Sequence, residues 1–275
     1  MSQAELDAPV VARAIEGDAD ALAEIVRQLR DPLYRLALRM VGRPADAEDA
    51  VQEILIKTIT RLASWRGEAA LLTWAYRLAM NYLLNLRRNP YERREISFES
   101  LGAELATGIA STDYAGPEAQ LLATEVRLSC TQAMLQCLDR TERATFVLGE
   151  VFELNSEEAG WILDITPAAY RQRLGRARQR IRAFMTSTCG LVNPAKPCRC
   201  ARRVNTAIKR GNVNPRQPVF ATHPTTAAVA AGHRQMHELH DAATVLRSHP
   251  DYAAPKEKTE AIVGLLRSGR YPMLS

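Results

Sequence analysis

Nowhere does the chain approach the roughly 18 consecutive apolar residues that a membrane-crossing helix needs, and its opening residues, MSQAELDAPV, lack the basic and apolar regions of a secretory leader. A cytoplasmic location is expected. Aromatic residues are scarce, at 6%, and the strand formers Val, Ile, Thr, Tyr, Phe and Trp never gather into alternating runs. That argues against a sheet-built protein and for an all-α fold. Five cysteines, an odd number in 275 residues, argue against a disulfide scaffold. Cys130 and Cys137 stand seven apart in a predicted helix, about 10 Å along its axis and too far to bridge; they are expected as core thiols. No Gly-rich phosphate loop, metalloprotease helix motif or nucleophile elbow occurs, so the chain is not expected to be an enzyme.

What the chain does have is arginine, concentrated in one place. Arg171, Arg173, Arg176, Arg178, Arg180 and Arg182 fall within twelve residues that contain no acid. Threaded through them are Tyr170, Leu174, Ala177, Ile181 and Phe184, at spacings that put them on one face of a helix. Such a helix rests on a core along one side and presents guanidinium groups to a polyanion along the other. The overall charge of +5 hides this arrangement: residues 1–185 hold 23 basic and 26 acidic side chains, and residues 186–275 hold 13 and 5. A nucleic-acid surface in the first part must therefore come from local clustering.

Punctuation divides the chain. Residues 1–90 read as a four-helix module: Gly17-Asp18 separates the first helix from the second, Asp31-Pro32 interrupts the second, and Gly42-Arg43-Pro44 precedes a helix with Asp46 as its expected N-cap. In that helix Ala47, Val51, Ile54, Leu55, Thr58 and Leu62 share a face, while Glu48, Asp49, Gln52 and Glu53 crowd the first turns. After the loop Ser64-Trp65-Arg66-Gly67-Glu68, a long helix from Leu71 to Arg88 is expected to carry Trp74, Leu78, Tyr82 and Leu86 on its apolar stripe. Residues 91–117 lack sustained periodicity and read as a linker. A second module, 118–186, ends in two helices joined by the short turn Asp164-Ile165-Thr166, with Ser156 the expected cap of the first and Thr166-Pro167 starting the second as N-cap and N1. This is the pattern of a helix-turn-helix, whose second helix enters the major groove.

The run from Leu138-Asp139-Arg140-Thr141-Glu142-Arg143 through Ser156-Glu157-Glu158-Ala159 to Thr166-Pro167-Ala168-Ala169-Tyr170-Arg171-Gln172-Arg173-Leu174-Gly175-Arg176-Ala177-Arg178 resembles the promoter-reading region 4 of bacterial sigma factors, most of all those of the extracytoplasmic-function group. Independently, Asp46-Ala47-Glu48-Asp49-Ala50-Val51-Gln52-Glu53 resembles region 2.2 of the same family. Trp65-Arg66-Gly67-Glu68-Ala69 and Thr73-Trp74-Ala75-Tyr76-Arg77-Leu78-Ala79-Met80-Asn81 resemble its minus-10 loop and helix. The resemblance covers roughly residues 8–186.

It implies a sigma factor that binds core RNA polymerase and directs it to promoters. By resemblance, Asp46, Glu48, Asp49, Gln52 and Glu53 meet a basic coiled coil of the polymerase; on the residues alone, the acids favour a helix N-terminus whatever the partner. Arg66, Glu68, Arg77 and Asn81 are the candidates for holding unpaired minus-10 bases, with Trp65 and Trp74 either core or stacking aromatics. At minus-35, Ala168, Arg171 and Gln172 are assigned to base edges and Arg173, Arg176 and Arg178 to phosphates or flanking bases. Arg180 and Arg182 are either further contacts or solvated. Leu72, Met80 and Ala70 depart from the basic and Ser residues often found in the family, so fewer phosphate contacts are expected on the minus-10 helix. Promoter DNA and core polymerase are the implied partners, with an anti-sigma factor a third. A one-component helix-turn-helix regulator that does not bind polymerase is the alternative.

Residues 187–275 exceed what two such modules need. Cys189, Cys198 and Cys200, with His233, His237 and His240 downstream, leave three readings open: a tetrahedral zinc site, a redox-sensitive thiol cluster, or no special chemistry. Their C-x8-C-x-C spacing is not the usual C-x2-C knuckle. A helix from about Thr225 to Ser248 and a shorter one near Lys256 to Arg267 are expected, in a regulatory extension that binds back on the sigma modules or on the polymerase.

Overall fold

The computed structural model describes residues 3–86, 96–116, 118–221, 242–247 and 249–267. Among them every regular element is helical, and one isolated β-bridge pairs the backbone of Cys189 with that of Cys198, whose thiols are both free. None of these helices is long and apolar enough to cross a membrane. The chain forms two compact units that do not follow chain order: Met1–Arg87, Asn155–Ala169 and Tyr252–Ser275 in the first, Arg88–Leu154 and Tyr170–Asp251 in the second.

In the first unit, α1 (Gln3–Ile15), α2 (Ala19–Val41), α3 (Pro44–Thr60) and α4 (Leu71–Asn85) surround one core. Asp18 caps α2 by accepting from the N–H groups of Asp20 and Ala21 at 2.9 and 3.1 Å. Gly42, with φ 84°, ends it in the left-handed conformation that glycine adopts without strain. The interruption expected at Asp31-Pro32 does not occur. Proline inside a helix costs about 3 kcal/mol, and burial of Leu29, Leu33 and Leu36 on one face of α2, with Tyr34 buried on another, offsets it. At α3 the cap position belongs to Arg43 and Pro44 opens the helix, so Asp46 lies in the first turn and is not the cap.

The buried stripe of α4 is also not the expected one. Leu71, Ala75, Tyr76, Ala79, Met80 and Leu83 are buried, whereas Trp74, Leu78, Tyr82 and Leu86 are half-buried. Small side chains at Ala75 and Ala79 let the α4 backbone approach the core closely. Its first N–H, at Leu71, donates to the Asp7 carboxylate of α1 at 2.8 Å, a cap supplied from a distant helix.

The second unit contains α5 (Phe98–Ala106), α6 (Ala119–Gln136) and α7 (Arg140–Phe146). Helix α5 lies within the segment read as a linker; a capping box of Ser97 and Ser100 starts it, and Phe98 packs on Phe184 with ring centroids 5.1 Å apart. Arg143 is buried and satisfies the end of α6, donating to the carbonyls of Leu135, Leu138 and Gln136 at 2.9, 3.1 and 3.3 Å. Beyond α7 the chain widens into a π turn over Val147–Val151, where the Phe152 N–H reaches the Val147 carbonyl at 3.0 Å.

Helix α8 (Ser156–Leu163) follows, capped by Asn155 rather than Ser156; the Asn155 side chain accepts from Glu157 and Glu158. It ends at Asp164, whose φ 57° and ψ 43° are left-handed. Then α9 (Pro167–Thr188) starts as expected, the Thr166 hydroxyl accepting from the Ala169 N–H at 3.2 Å. Helix α10 (Cys200–Lys209) packs on α6: Val204, Ala207 and Val213 share a buried cluster with Leu122 and Val126. Buried Glu125 of α6 accepts from three consecutive N–H groups, Val219, Phe220 and Ala221, at 2.8, 2.9 and 2.7 Å. The opening of the C-terminal third is therefore an integral part of the second unit. Of the expected helix over 225–248, Ala242–Arg247 is described and is α11; His233, His237 and His240 lie outside the described residues. Helix α12 (Lys256–Arg267) belongs to the first unit.

Candidate nucleic-acid and partner surfaces

The apolar stripe of α9 is buried as its spacing requires: Tyr170, Leu174, Ala177, Ile181 and Phe184, joined by Met185. Tyr170 also donates its hydroxyl hydrogen to the Thr145 carbonyl at 3.1 Å, which fixes the helix's rotation. A Cβ added at Gly149 would lie 2.5 Å from the Tyr170 hydroxyl and 2.8 Å from a Leu174 methyl, so glycine there sets how closely α9 approaches the π turn. On the outer side Ala168, Arg171, Gln172, Arg176 and Arg178 are exposed and Arg173 is half-exposed.

The arginines divide into two kinds. Arg178 donates to Glu150 from Nε at 2.7 Å and from Nη2 at 2.5 Å, so the residue expected at phosphates is tied to the π turn. Arg180 pairs with Glu142 and lies over the Phe98 ring, 5.5 Å from its centroid; it is a structural tie rather than a solvated charge. Arg173, Arg176 and Arg182 make no ion pair among the described residues.

In α3 the expected apolar face is buried: Ala47, Val51, Ile54, Leu55 and Thr58, together with Ala50 and Ile59, and Leu62 just beyond. Asp49 and Glu53 are exposed, while Asp46, Glu48 and Gln52 are half-buried. Acids in these turns sit at the positive end of the helix.

Around α4, Arg66, Glu68 and Asn81 are exposed. Arg77 is engaged: it pairs with Asp164 at 2.9 Å and its guanidinium lies 4.6 Å from the centroid of the Trp161 ring of α8. Met80 is fully buried, so its departure from a basic residue removes no surface contact. Trp65 and Trp74 are half-buried, and the Trp65 indole N–H closes its loop on the Ala69 carbonyl at 3.0 Å. Asn81 lines an open cavity of about 370 Å³ with Lys57, Arg61, Leu78, Tyr82, Asn85 and Leu86. The Lys57 ammonium lies 5.8 Å from the centroid of the Tyr82 ring. Cations, a ring and two amides are the groups an unpaired nucleotide requires.

Around the Cys189–Cys198 bridge, burial and the neighbouring cysteines push the Cys130, Cys198 and Cys200 thiols up, that of Cys200 to about 12. They stay protonated at neutral pH, unlike a reactive thiolate. Burial likewise holds Cys137 at about 12. Among the described residues no three His, Cys, Asp or Glu side chains stand together as a metal site.

Residues 25–93 match the family Sigma-70 region 2. The ECF RNA polymerase sigma factor SigW of Bacillus subtilis is 31% identical over 169 residues, 61% of this chain and 90% of the relative. The ECF RNA polymerase sigma-E factor of Escherichia coli K12 is 31% identical over 185 residues, 66% of this chain and 95% of that protein. The chain belongs to the extracytoplasmic-function sigma factors. As a sigma factor it directs RNA polymerase to promoters, and proteins of this kind are not enzymes.

For a sigma factor the arrangement of the cavity beside Asn81 is informative. The sequence singled out Asn81 and gave no binding role to Lys57, Arg61, Tyr82 and Asn85. The first two lie one helix earlier, and Tyr82 and Leu86 were assigned to the core stripe. Their i, i+4 spacing with Leu78 marks a shared face, but spacing alone does not say whether that face is buried.

Proposed function

We propose that this sigma factor docks core RNA polymerase through Asp46, Glu48, Asp49, Gln52 and Glu53 of α3 and reads two promoter elements. Residues 1–90 form the region 2 module and 118–186 the region 4 module; 91–117 connect them, and 187–275 are a regulatory extension. Arg66, Glu68, Arg77 and Asn81 hold the minus-10 strand, with the cavity beside Asn81 offering a base a seat between Tyr82 and the Lys57 and Arg61 cations. Arg77 must leave Asp164 and Trp161 to take part. Ala168, Arg171 and Gln172 read minus-35 base edges, and Arg173 and Arg176 neutralise phosphates. Arg178 joins them only by exchanging Glu150 for phosphate. Action on the polymerase supports a cytoplasmic location, and an anti-sigma factor is proposed as a further partner.

The observation that carries this reading is the anchored α9, whose buried stripe and Tyr170 bond hold the N-terminal arginines outward. A one-component regulator would bind duplex promoter tightly alone and would not copurify with core polymerase; homology to sigma factors over about two-thirds of the chain disfavours it. A polymerase pull-down followed by run-off transcription tests the assignment. Arg171→Ala is expected to change which promoters are used, because it removes base readout. Arg176→Ala weakens all promoters alike and flattens the salt dependence by about one unit of log–log slope. Identical promoter-selection profiles for the two variants would refute it.

A further inference from the structure

Helix α12 and the residues before it lie on the face of the first unit formed by α2 and α3. Tyr252 is buried, with the Arg39 guanidinium 5.7 Å from its ring centroid. The Ala254 N–H donates to the Asp31 carboxylate at 3.1 Å, and Asp31 is itself held by Arg30 at 2.6 Å. One turn into α12, Thr259 and Ile262 are 5% and 6% exposed. They line, with Ala254 and Pro255, a crevice whose other wall is Arg30, Glu48, Val51, Gln52 and Leu55, and the space left is only about 10 Å³. That is at or below the room one water molecule needs, so the two surfaces are in packed contact.

Two of these wall residues, Glu48 and Gln52, belong to the α3 set assigned to the polymerase. Both are half-buried, so a macromolecular partner reaches only part of their surface while α12 is seated. The covering segment also comes from the basic end of the chain, where residues 186–275 hold 13 basic and 5 acidic side chains. The covering segment itself, residues 252–267, holds three basic and two acidic side chains, and the residues it lays against α3 are Ala254, Pro255, Thr259 and Ile262, so it covers the acidic helix by packing and not by charge.

We propose that Tyr252–Arg267 is an intramolecular competitor for the α3 surface, so that the chain binds core polymerase only in the fraction of molecules whose tail has left. The proposal rests on the assignment of α3 to polymerase binding. Tail release is then a step of holoenzyme formation, and apparent affinity is the intrinsic affinity scaled by the open fraction.

The test compares full-length wild type with full-length Ile262→Glu, which places a carboxylate in the crevice that Glu48, Val51 and Leu55 also line. Affinity for bacterial core polymerase is measured by fluorescence titration, and hydrogen–deuterium exchange of residues 252–264 is followed in free protein and holoenzyme. The variant is expected to bind core polymerase about ten-fold more tightly, as for a tail closed in roughly nine molecules of ten. Wild-type tail amides are expected to exchange faster in the holoenzyme than in the free protein. Unchanged or weaker affinity of a variant with wild-type melting behaviour overturns the proposal, and so does a tail that stays protected in the holoenzyme. Failure of both proteins to bind core polymerase would instead strike down the α3 assignment beneath it.

Discussion

Helices α3 and α9 are built alike and end differently. Each buries an apolar stripe in its own unit and turns charge outward, basic throughout on α9 and acidic over the first turns of α3, which carries the exposed Lys57 near its end. On α9, Arg173 and Arg176 make no ion pair among the described residues, and the two tied arginines, Arg178 and Arg180, lie toward its C-terminal half. On α3, half-buried Glu48 and Gln52 line a narrow crevice with Thr259 and Ile262 of the chain's own tail. The pattern of charge along a helix therefore tells which polarity of partner suits it. Whether that face is vacant depends on segments about 200 residues away, which local periodicity does not register.

Three perturbations break or sharpen this contrast. The largest effect is expected beneath the arginines: Leu174→Ala empties a site that is 7% exposed and costs about 2–5 kcal/mol. Arg182→Ala on the outer side stays within about 0.5 kcal/mol. Urea denaturation of both variants measures the gap, and equal losses would mean that the two sides of α9 are not distinct.

A middle-sized effect is expected on α3. Asp49→Ala combined with Glu53→Ala removes two exposed acids and weakens core polymerase binding by about three- to ten-fold, mainly through a slower association rate at low salt. Stopped-flow association with core polymerase at several salt concentrations reports it, and an unchanged on-rate would detach these acids from docking. The smallest effect is expected from Glu150→Gln. Loss of the carboxylate charge frees Arg178 for phosphate and raises holoenzyme affinity for promoter DNA by no more than about three-fold, since a partly exposed ion pair is worth about 0–1 kcal/mol. Fluorescence anisotropy with a labelled minus-35 duplex measures it; weaker binding would show that Glu150 positions Arg178 instead of withholding it.

Much of this was legible from residue order. The stripe of α9 and the buried face of α3 followed from spacing because each is flanked by charge, which leaves one way to face a core. The Thr166-Pro167 start of α9 followed from local chemistry as well. In contrast, LLTWAYRLAM is apolar nearly all round, so period alone could not choose the face of α4. The choice fell to packing, with Ala75 and Ala79 permitting close approach. Pro32 misled because local propensity is outweighed by a well-buried helix face. The Asp7 cap of Leu71 and the Glu125 grip on Val219–Ala221 join residues 64 and about 95 positions apart, beyond any local signal. The Arg178–Glu150 pair depends on a π turn that carries no sequence mark here.

Gly149 gives the helix-turn-helix an asymmetric capacity for change. Beneath α9 the fit is fixed to within a methyl group, because any side chain at Gly149 collides with Tyr170 and Leu174. Above it, Arg171 and Gln172 face outward and can be exchanged with little effect on that fit. With Arg171 and Gln172 as the proposed base readers, promoter preference would drift by single substitutions while the folded platform is inherited unchanged, and descendants of this chain would acquire new regulons without first passing through an unstable ancestor.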